Sequence, residues 1–148
     1  MFRETVKIKK LSNNAIIPTK GSEFSAGFDL YANIDQPITI EPHKTVKIGT
    51  GLSFELPNGT FGAIFARSGL ATKKGVRPSN CVGVCDSDYR GEYIVPLYND
   101  SDDDVIIEPN QKIAQLILLP YIEMDFVEID KLTDTKRGNG GFGSTDKK

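Results

Sequence analysis

The sequence predicts an all-β fold, a jelly-roll-like barrel or sandwich of short strands with at most one short helix and a flexible C-terminal tail. Three observations lead there. Between Lys44 and Leu56, Val46, Ile48, Leu52, Phe54 and Leu56 share one parity, while Lys47, Gly49, Gly51, Ser53 and Glu55 share the other. A period of two over that length belongs to a strand with one buried face. Proline and glycine punctuate short apolar runs along the whole chain, which gives about ten strands. Only Ser68 to Lys74 reads as a helix.

The elements follow in order. Thr5 to Leu11 alternates Val6 and Ile8 with Lys7 and Lys9, a half-exposed strand. Ser25 to Ala32 is a short strand with Asp29 between Phe28 and Leu30; an acid flanked by apolar residues is either buried with a partner or placed for function. Ile38 to Ile40 is a third strand, ended by Pro42. The Lys44–Leu56 run is expected to bend at its glycines and to turn at Pro57-Asn58-Gly59 into Thr60 to Ala66 as its partner. In Ser68 to Lys74, Ser68 is the expected cap. Val82 to Val84 and Glu92 to Tyr98 are expected to form a β-hairpin with Asp86 and Asp88 at its mouth. Pro96 marks its second strand as an edge or bulge. Val105 to Glu108 and Lys112 to Pro120 are further strands. Apolar residues of both parities in Ile113 to Leu119 imply burial on both faces, one toward the core and one toward another subunit, and Gln115 within the run needs a partner for its amide. Asp125 to Asp130 is read as the last strand. Residues 1–134 form the expected domain and 135–148 a glycine-rich tail.

Composition narrows the function. The 148 residues carry a net charge of -2, with 39% hydrophobic and 26% charged residues, which suits one soluble domain and gives no sign of nucleic-acid or membrane binding. Met1 to Glu4 contain no apolar leader, and the cytoplasm is the expected location. Cys81 and Cys85 on one strand would lie about 13 Å apart, too far to bridge. With the single histidine, His43, they cannot close a zinc site. One histidine in a turn also argues against a Ser-His-Asp triad, so a catalytic base would be a carboxylate. From Asp100, the acidic run Asn99–Asp104 imitates the start of a calcium loop, but Val105 and Gln111 stand at its sixth and twelfth positions, where glycine and glutamate are required.

Three stretches carry chemistry. In Val82-Gly-Val-Cys-Asp-Ser-Asp-Tyr-Arg-Gly91, Asp86 sits nearest the apolar strand, and Gly83 leaves the backbone open to a flat ligand. Arg67 and Ser68 begin the helix, where backbone N–H groups favour an anion. The tail contains G-x-G-x-x-G at Gly138, Gly140 and Gly143, without the strand and helix that a dinucleotide fingerprint needs. Ser144 replaces the lysine of a phosphate-binding loop. Arg137, Ser144 and Thr145 still suit phosphate, and Phe142 suits stacking on a base.

Five segments together resemble the homotrimeric all-β deoxyuridine triphosphatases (dUTPases): Ala26–Ala32, Ala66-Arg-Ser-Gly-Leu-Ala71, Val82–Gly91, Lys112-Ile-Ala-Gln-Leu116 and Arg137–Thr145. The resemblance spans nearly the whole chain, in the family's order and spacing. It implies hydrolysis of dUTP to dUMP and pyrophosphate, with Asp86 activating water for in-line attack on the α-phosphorus. It implies that Asn80, Gly83, Val84 and Cys85 read uracil, and that Tyr89 packs under the deoxyribose. Arg67, Ser68 and Gly69 would bind phosphate oxygens, and Gln115 the α-phosphate region. Phe142 would stack on the base, while Arg137, Gly143, Ser144 and Thr145 hold the γ-phosphate end. Mg²⁺ would be held mainly by the triphosphate, with Asp29 acting on it through water. Each site would draw on three subunits. Ala66 departs from the family's usual proline, and Cys85 from a common isoleucine. A dCTP deaminase or a nucleotide-sensing regulator on the same fold are the alternatives; the first would place a glutamate near this hairpin, the second an added segment.

Overall fold

The structure, a computed structural model, describes residues 3–142. The period-two runs and their punctuation give β1 (Lys7–Lys10), β2 (Thr19–Lys20), β3 (Phe28–Tyr31), β4 (Ile38–Ile40), β5 (Thr45–Gly49), β6 (Leu52–Glu55) and β7 (Thr60–Phe65). The helix α1 (Ser68–Lys74) precedes β8 (Val76–Pro78), β9 (Gly83–Cys85), β10 (Ile94–Asn99), β11 (Val105–Ile107) and β12 (Lys112–Pro120). The strands pair antiparallel in four sheets: β2-β3-β12-β7-β9, β5-β10-β8, and the pairs β1-β6 and β11-β4. None closes into a barrel. All four contribute to one core, which includes Leu30, Ile40, Ile48, Leu52, Val95, Leu97, Ile107 and Ile113, each fully buried.

The expected all-β class holds, and several local expectations are corrected. The Lys44–Leu56 run does turn at its glycines as expected, but so sharply that it is two strands in two sheets. Gly51 breaks it with φ +67, and a Cβ there would lie 2.5 Å from the Asn33 amide nitrogen and 2.9 Å from Ala15 Cβ, so only glycine fits. The break is clamped from the far side. The Gly51 N–H donates to Glu92 Oε1 at 2.8 Å, and the Thr50 hydroxyl donates to the Tyr93 carbonyl at 2.7 Å. After Pro57-Asn58-Gly59, β7 does not fold back on β6. It joins β12 on one side and β9 on the other.

The expected hairpin from Val82 to Leu97 also divides. β9 pairs with β7, while β10 pairs with β5 and β8. Its two strands belong to different sheets, and 86–93 bridges them. Pro96 sits within the central strand of its sheet, opposite Lys47. Its carbonyl accepts from Ser79 at 2.7 Å, just beyond the end of β8. The missing N–H therefore points where the β8 ladder has already stopped, which makes the proline tolerable there.

Ser68 does not cap α1. Arg67 is the N-cap residue, with φ -86 and ψ 129 and no side-chain cap bond; Gly75 ends the helix at φ 67. Asp125 to Asp130 is not a strand, and the last strand among the described residues ends at Pro120. From there the chain runs exposed, with Ile122 and Phe126 each 88% exposed and Val127 81%. No helix among the described residues is long and apolar enough to cross a membrane.

Candidate active site

Register along β12 creates the first half of the site. Gln115 lies opposite Asp29 on β3 and opposite Phe65 on β7, so the end of β7 delivers Ala66 and Arg67 beside both. The Arg67 Nε donates to Asp29 Oδ1 at 2.9 Å, and Lys112 Nζ meets Asp29 Oδ2 at 2.8 Å. Asp29 is 9% exposed. The acid flanked by apolar residues is thus buried with partners, and its charge is offset by two cations. Hydrogen bonding to Asp29 holds the Lys112 ammonium above the usual lysine range. The Gln115 amide donates to the Ala66 carbonyl at 2.9 Å, which ties down the turn where proline is absent. Gly27 lies directly under the Gln115 side chain, and any Cβ there would collide with it.

Arg67, Lys73, Lys74 and Lys112 line a cleft of about 380 Å³ together with Gly69, Leu70 and Gln111. Four cations around one cleft focus a positive potential suited to a polyanion. Gly69 faces open space, and Ser68 is exposed beside it. Sequence reasoning missed Lys112, Lys73 and Lys74. Lys112 opens the Lys112–Leu116 motif, so its place there was the available signal.

The second half lies on β9 and the segment after it. Cys81 has φ 62, and the Val82 N–H donates to the Asn80 carbonyl at 2.7 Å, a tight three-residue turn. This brings the Asn80 amide beside Gly83, 3.5 Å from where its Cβ would stand. That same Cβ would lie 3.1 Å from Ile64 Cβ, so tight packing against β7 favours glycine at 83 independently of any ligand. Val84 is 63% exposed, and Cys85 is half-buried. Asp86 follows the strand with its carboxylate exposed and, among the described residues, unpaired. The Tyr89 N–H donates to the Asp86 carbonyl at 3.2 Å. The Tyr89 hydroxyl donates to the Glu92 carbonyl at 3.1 Å, and its ring stacks on Tyr93 with centroids 6.1 Å apart. Tyr89 folds over Gly91, whose Cβ would stand 2.8 Å from the ring's Cε2.

One chain does not bring the halves together. Cys85 pairs with Gly62 near the start of β7, whereas Arg67 follows its far end. At about 3.3 Å per residue the two lie roughly 16 Å apart along the strand. Arg137 and Phe142 are also apart from both halves. The Arg137 Nε donates to Gly140 O at 2.9 Å within the tail, and Phe142 is fully exposed. Gly143, Ser144 and Thr145 lie outside the described residues. The His43 ring meets Asp102, at 3.1 Å on the surface, away from both halves. Among the described residues, no three His, Cys, Asp or Glu side chains gather as a metal site.

The dUTPase family profile matches residues 13–146. A deoxyuridine 5'-triphosphate nucleotidohydrolase of Desulfitobacterium hafniense is 48% identical over 130 residues, covering 87% of this chain and 86% of the relative. The solved dUTPase of Staphylococcus bacteriophage 80α with dUpNHpp superposes with a TM-score of 0.86 at 24% identity, over 96% of this chain and 98% of that one. A dUTPase of the S. aureus phage phi11, described as coordinating a structural Mg(II) ion, gives 0.79 at 20% identity, over 88% and 100%. With this profile match and this level of identity, the chain belongs to the dUTPase family.

Proposed function

We propose that the protein hydrolyses dUTP to dUMP and pyrophosphate, with Asp86 as the base that activates the attacking water. Asp86 itself carries the reading: an exposed carboxylate, unpaired among the described residues, at the end of a paired strand and next to the Asn80–Cys85 turn. Uracil meets the backbone of Gly83 to Cys85 and the Asn80 amide, and the exposed Val82 and Val84 offer it apolar contact. Thymine's methyl has no room against that backbone, and cytosine's edge leaves its donors and acceptors unpaired. Tyr89, fixed over Gly91, excludes a ribose 2′-hydroxyl.

Water, deprotonated by Asp86, attacks the α-phosphorus in line, and pyrophosphate leaves. Arg67, Ser68, Gly69 and Gln115 hold the phosphates and offset the charge that develops on them. Asp29 acts through Arg67 and Lys112 by aiming both. The residues suit a metal that keeps its waters and is held chiefly by phosphate oxygens. Bound there, Mg²⁺ neutralises triphosphate charge; Asp29 retains lone pairs for water beside its two cations.

A working site joins the Asp86 half of one copy to the Arg67 half of the next, in a homotrimer. The separation of the halves along β7 supports this. So does the exposed apolar strip Ile122, Met124, Phe126, Val127, Ile129 and Leu132, which a second copy would cover. The tail, residues 135–148, then closes over a neighbour's site, with Phe142 on the base and Arg137, Gly143, Ser144 and Thr145 at the γ-phosphate. Free Cys81 and Cys85 suit the reducing cytoplasm. Pyrophosphate release measured with dUTP, dTTP, dCTP and UTP in the presence of Mg²⁺ tests the reading. Turnover of dUTP alone is the expected result; comparable rates on the others, or ammonia released from dCTP, would refute it.

A further inference from the structure

Tyr93 is the residue whose chemistry the proposed mechanism leaves unused. It is 1% exposed, yet its hydroxyl is buried with no hydrogen-bond partner among the described residues. Buried hydroxyls in that state carry a cost, which marks the position for attention. Its place is well defined. The hydroxyl sits over Gly62, 3.2 Å from where a Cβ would stand, and Gly62 is the cross-strand partner of Cys85. Directly opposed residues project to the same face of a sheet, about 5 Å apart. The Tyr93 hydroxyl therefore occupies the space a side chain on Gly62 would fill, facing the Cys85 thiol. Burial pushes the ionisation of both groups to higher pH, and the nearby hydroxyl offsets part of that rise at the thiol. The ring has two further neighbours: Phe54 at 4.4 Å in the core and Tyr89 at 6.1 Å above. Its backbone is held on both sides, by Leu52 and by Thr50.

We propose that Tyr93 is a positioning residue of the active site, its ring backing Tyr89 and its hydroxyl bracing, through the Cys85 thiol, the strand end from which Asp86 projects. This rests on the roles assigned above to Asp86 and Tyr89. One side chain then sets the relative position of the sugar platform and the base. The pair Cys85–Tyr93 acts as a unit through packing, the hydroxyl seated over Gly62 on the face it shares with the thiol.

The test is a double-variant cycle on the full chain: Tyr93→Phe, Cys85→Ala and both, with the parent alongside. Removing an unpartnered buried hydroxyl leaves the melting temperature of Tyr93→Phe unchanged or raised. Its kcat is expected to fall about fivefold, with KM for dUTP little changed. The double variant is expected to lose no more than the worse single one. A second readout is independent of turnover. In a Cys81→Ser background, the pH midpoint of Cys85 alkylation by iodoacetamide is expected to rise by about half a unit on Tyr93→Phe. Parental kcat in Tyr93→Phe, losses that multiply in the double variant, or an unmoved alkylation midpoint would each overturn the proposal. A parent that does not turn over dUTP would instead refute the reading beneath it, while the alkylation arm still decides whether the contact exists.

Discussion

Replacing Asp29 by alanine should disable the enzyme through Arg67 without touching substrate. The carboxylate holds the Arg67 Nε at 2.9 Å with its own side chain 12% exposed and that of Arg67 35% exposed. A charge-assisted bond in that setting, discounted for partial solvent screening, contributes about 1.5 kcal/mol. For a chain of this size the melting temperature should drop about 3–6 °C. Catalysis should suffer more. An unaimed guanidinium loses transition-state contact with the phosphates, so kcat should fall about 10- to 100-fold. The pH signature is specific. Hydrogen bonding to Asp29 raises the Lys112 ammonium from the ordinary value of 10.5, so that pair's contribution is complete below the unfolded-state value and is lost as pH rises through the higher folded-state value. The stability gap between parent and Asp29→Ala should therefore be flat from pH 7 to 9 and narrow above about 10.5. Thermal melts across pH and pyrophosphate release at pH 7.5 supply the measurements. A variant with parental kcat would show that Asp29 does not orient Arg67.

Three further outcomes follow from the geometry. Asp86→Asn should bind a non-hydrolysable dUTP analogue with parental affinity by calorimetry while turnover falls at least about 100-fold. Gly91→Ala drives a methyl into the Tyr89 ring; steady-state kinetics should show a raised KM for dUTP and weakened discrimination against UTP. Deleting 136–148 should remove most activity, about 100-fold in kcat/KM, while light scattering still reports an intact oligomer.

Local pattern carried much of this fold and long-range register did not. Ile38–Ile40, Ser68–Lys74 and Lys112–Pro120 keep the limits their patterns imply, because a proline stop, a short helical run and a doubly apolar run are all local signals. The Lys44–Leu56 run misled because alternation continues through Gly51, and only the neighbouring Asn33 and Ala15 reveal why the backbone must turn there. The partners of β7 and β9 were not readable either, since pairing is decided by strands far apart in sequence. Asp125–Asp130 is rich in strand-favouring residues but meets no strand partner among the described residues. The site divides in the same way. Asp86, Arg67 and Gln115 stand in recognisable motifs, whereas the Arg67–Asp29–Lys112 cluster depends on the register of β3, β12 and β7 and is written in no single stretch.

The shared site is the central claim, and mixing two inactive variants tests it most directly. Asp86→Asn and Arg67→Ala chains should each form inactive trimers. Unfolded together in equal amounts and reassembled, they should recover about a quarter of parental dUTP turnover, because one site in four pairs an intact Asp86 from one chain with an intact Arg67 from its neighbour. Activity that stays at the level of the separate variants would contradict a site built between subunits.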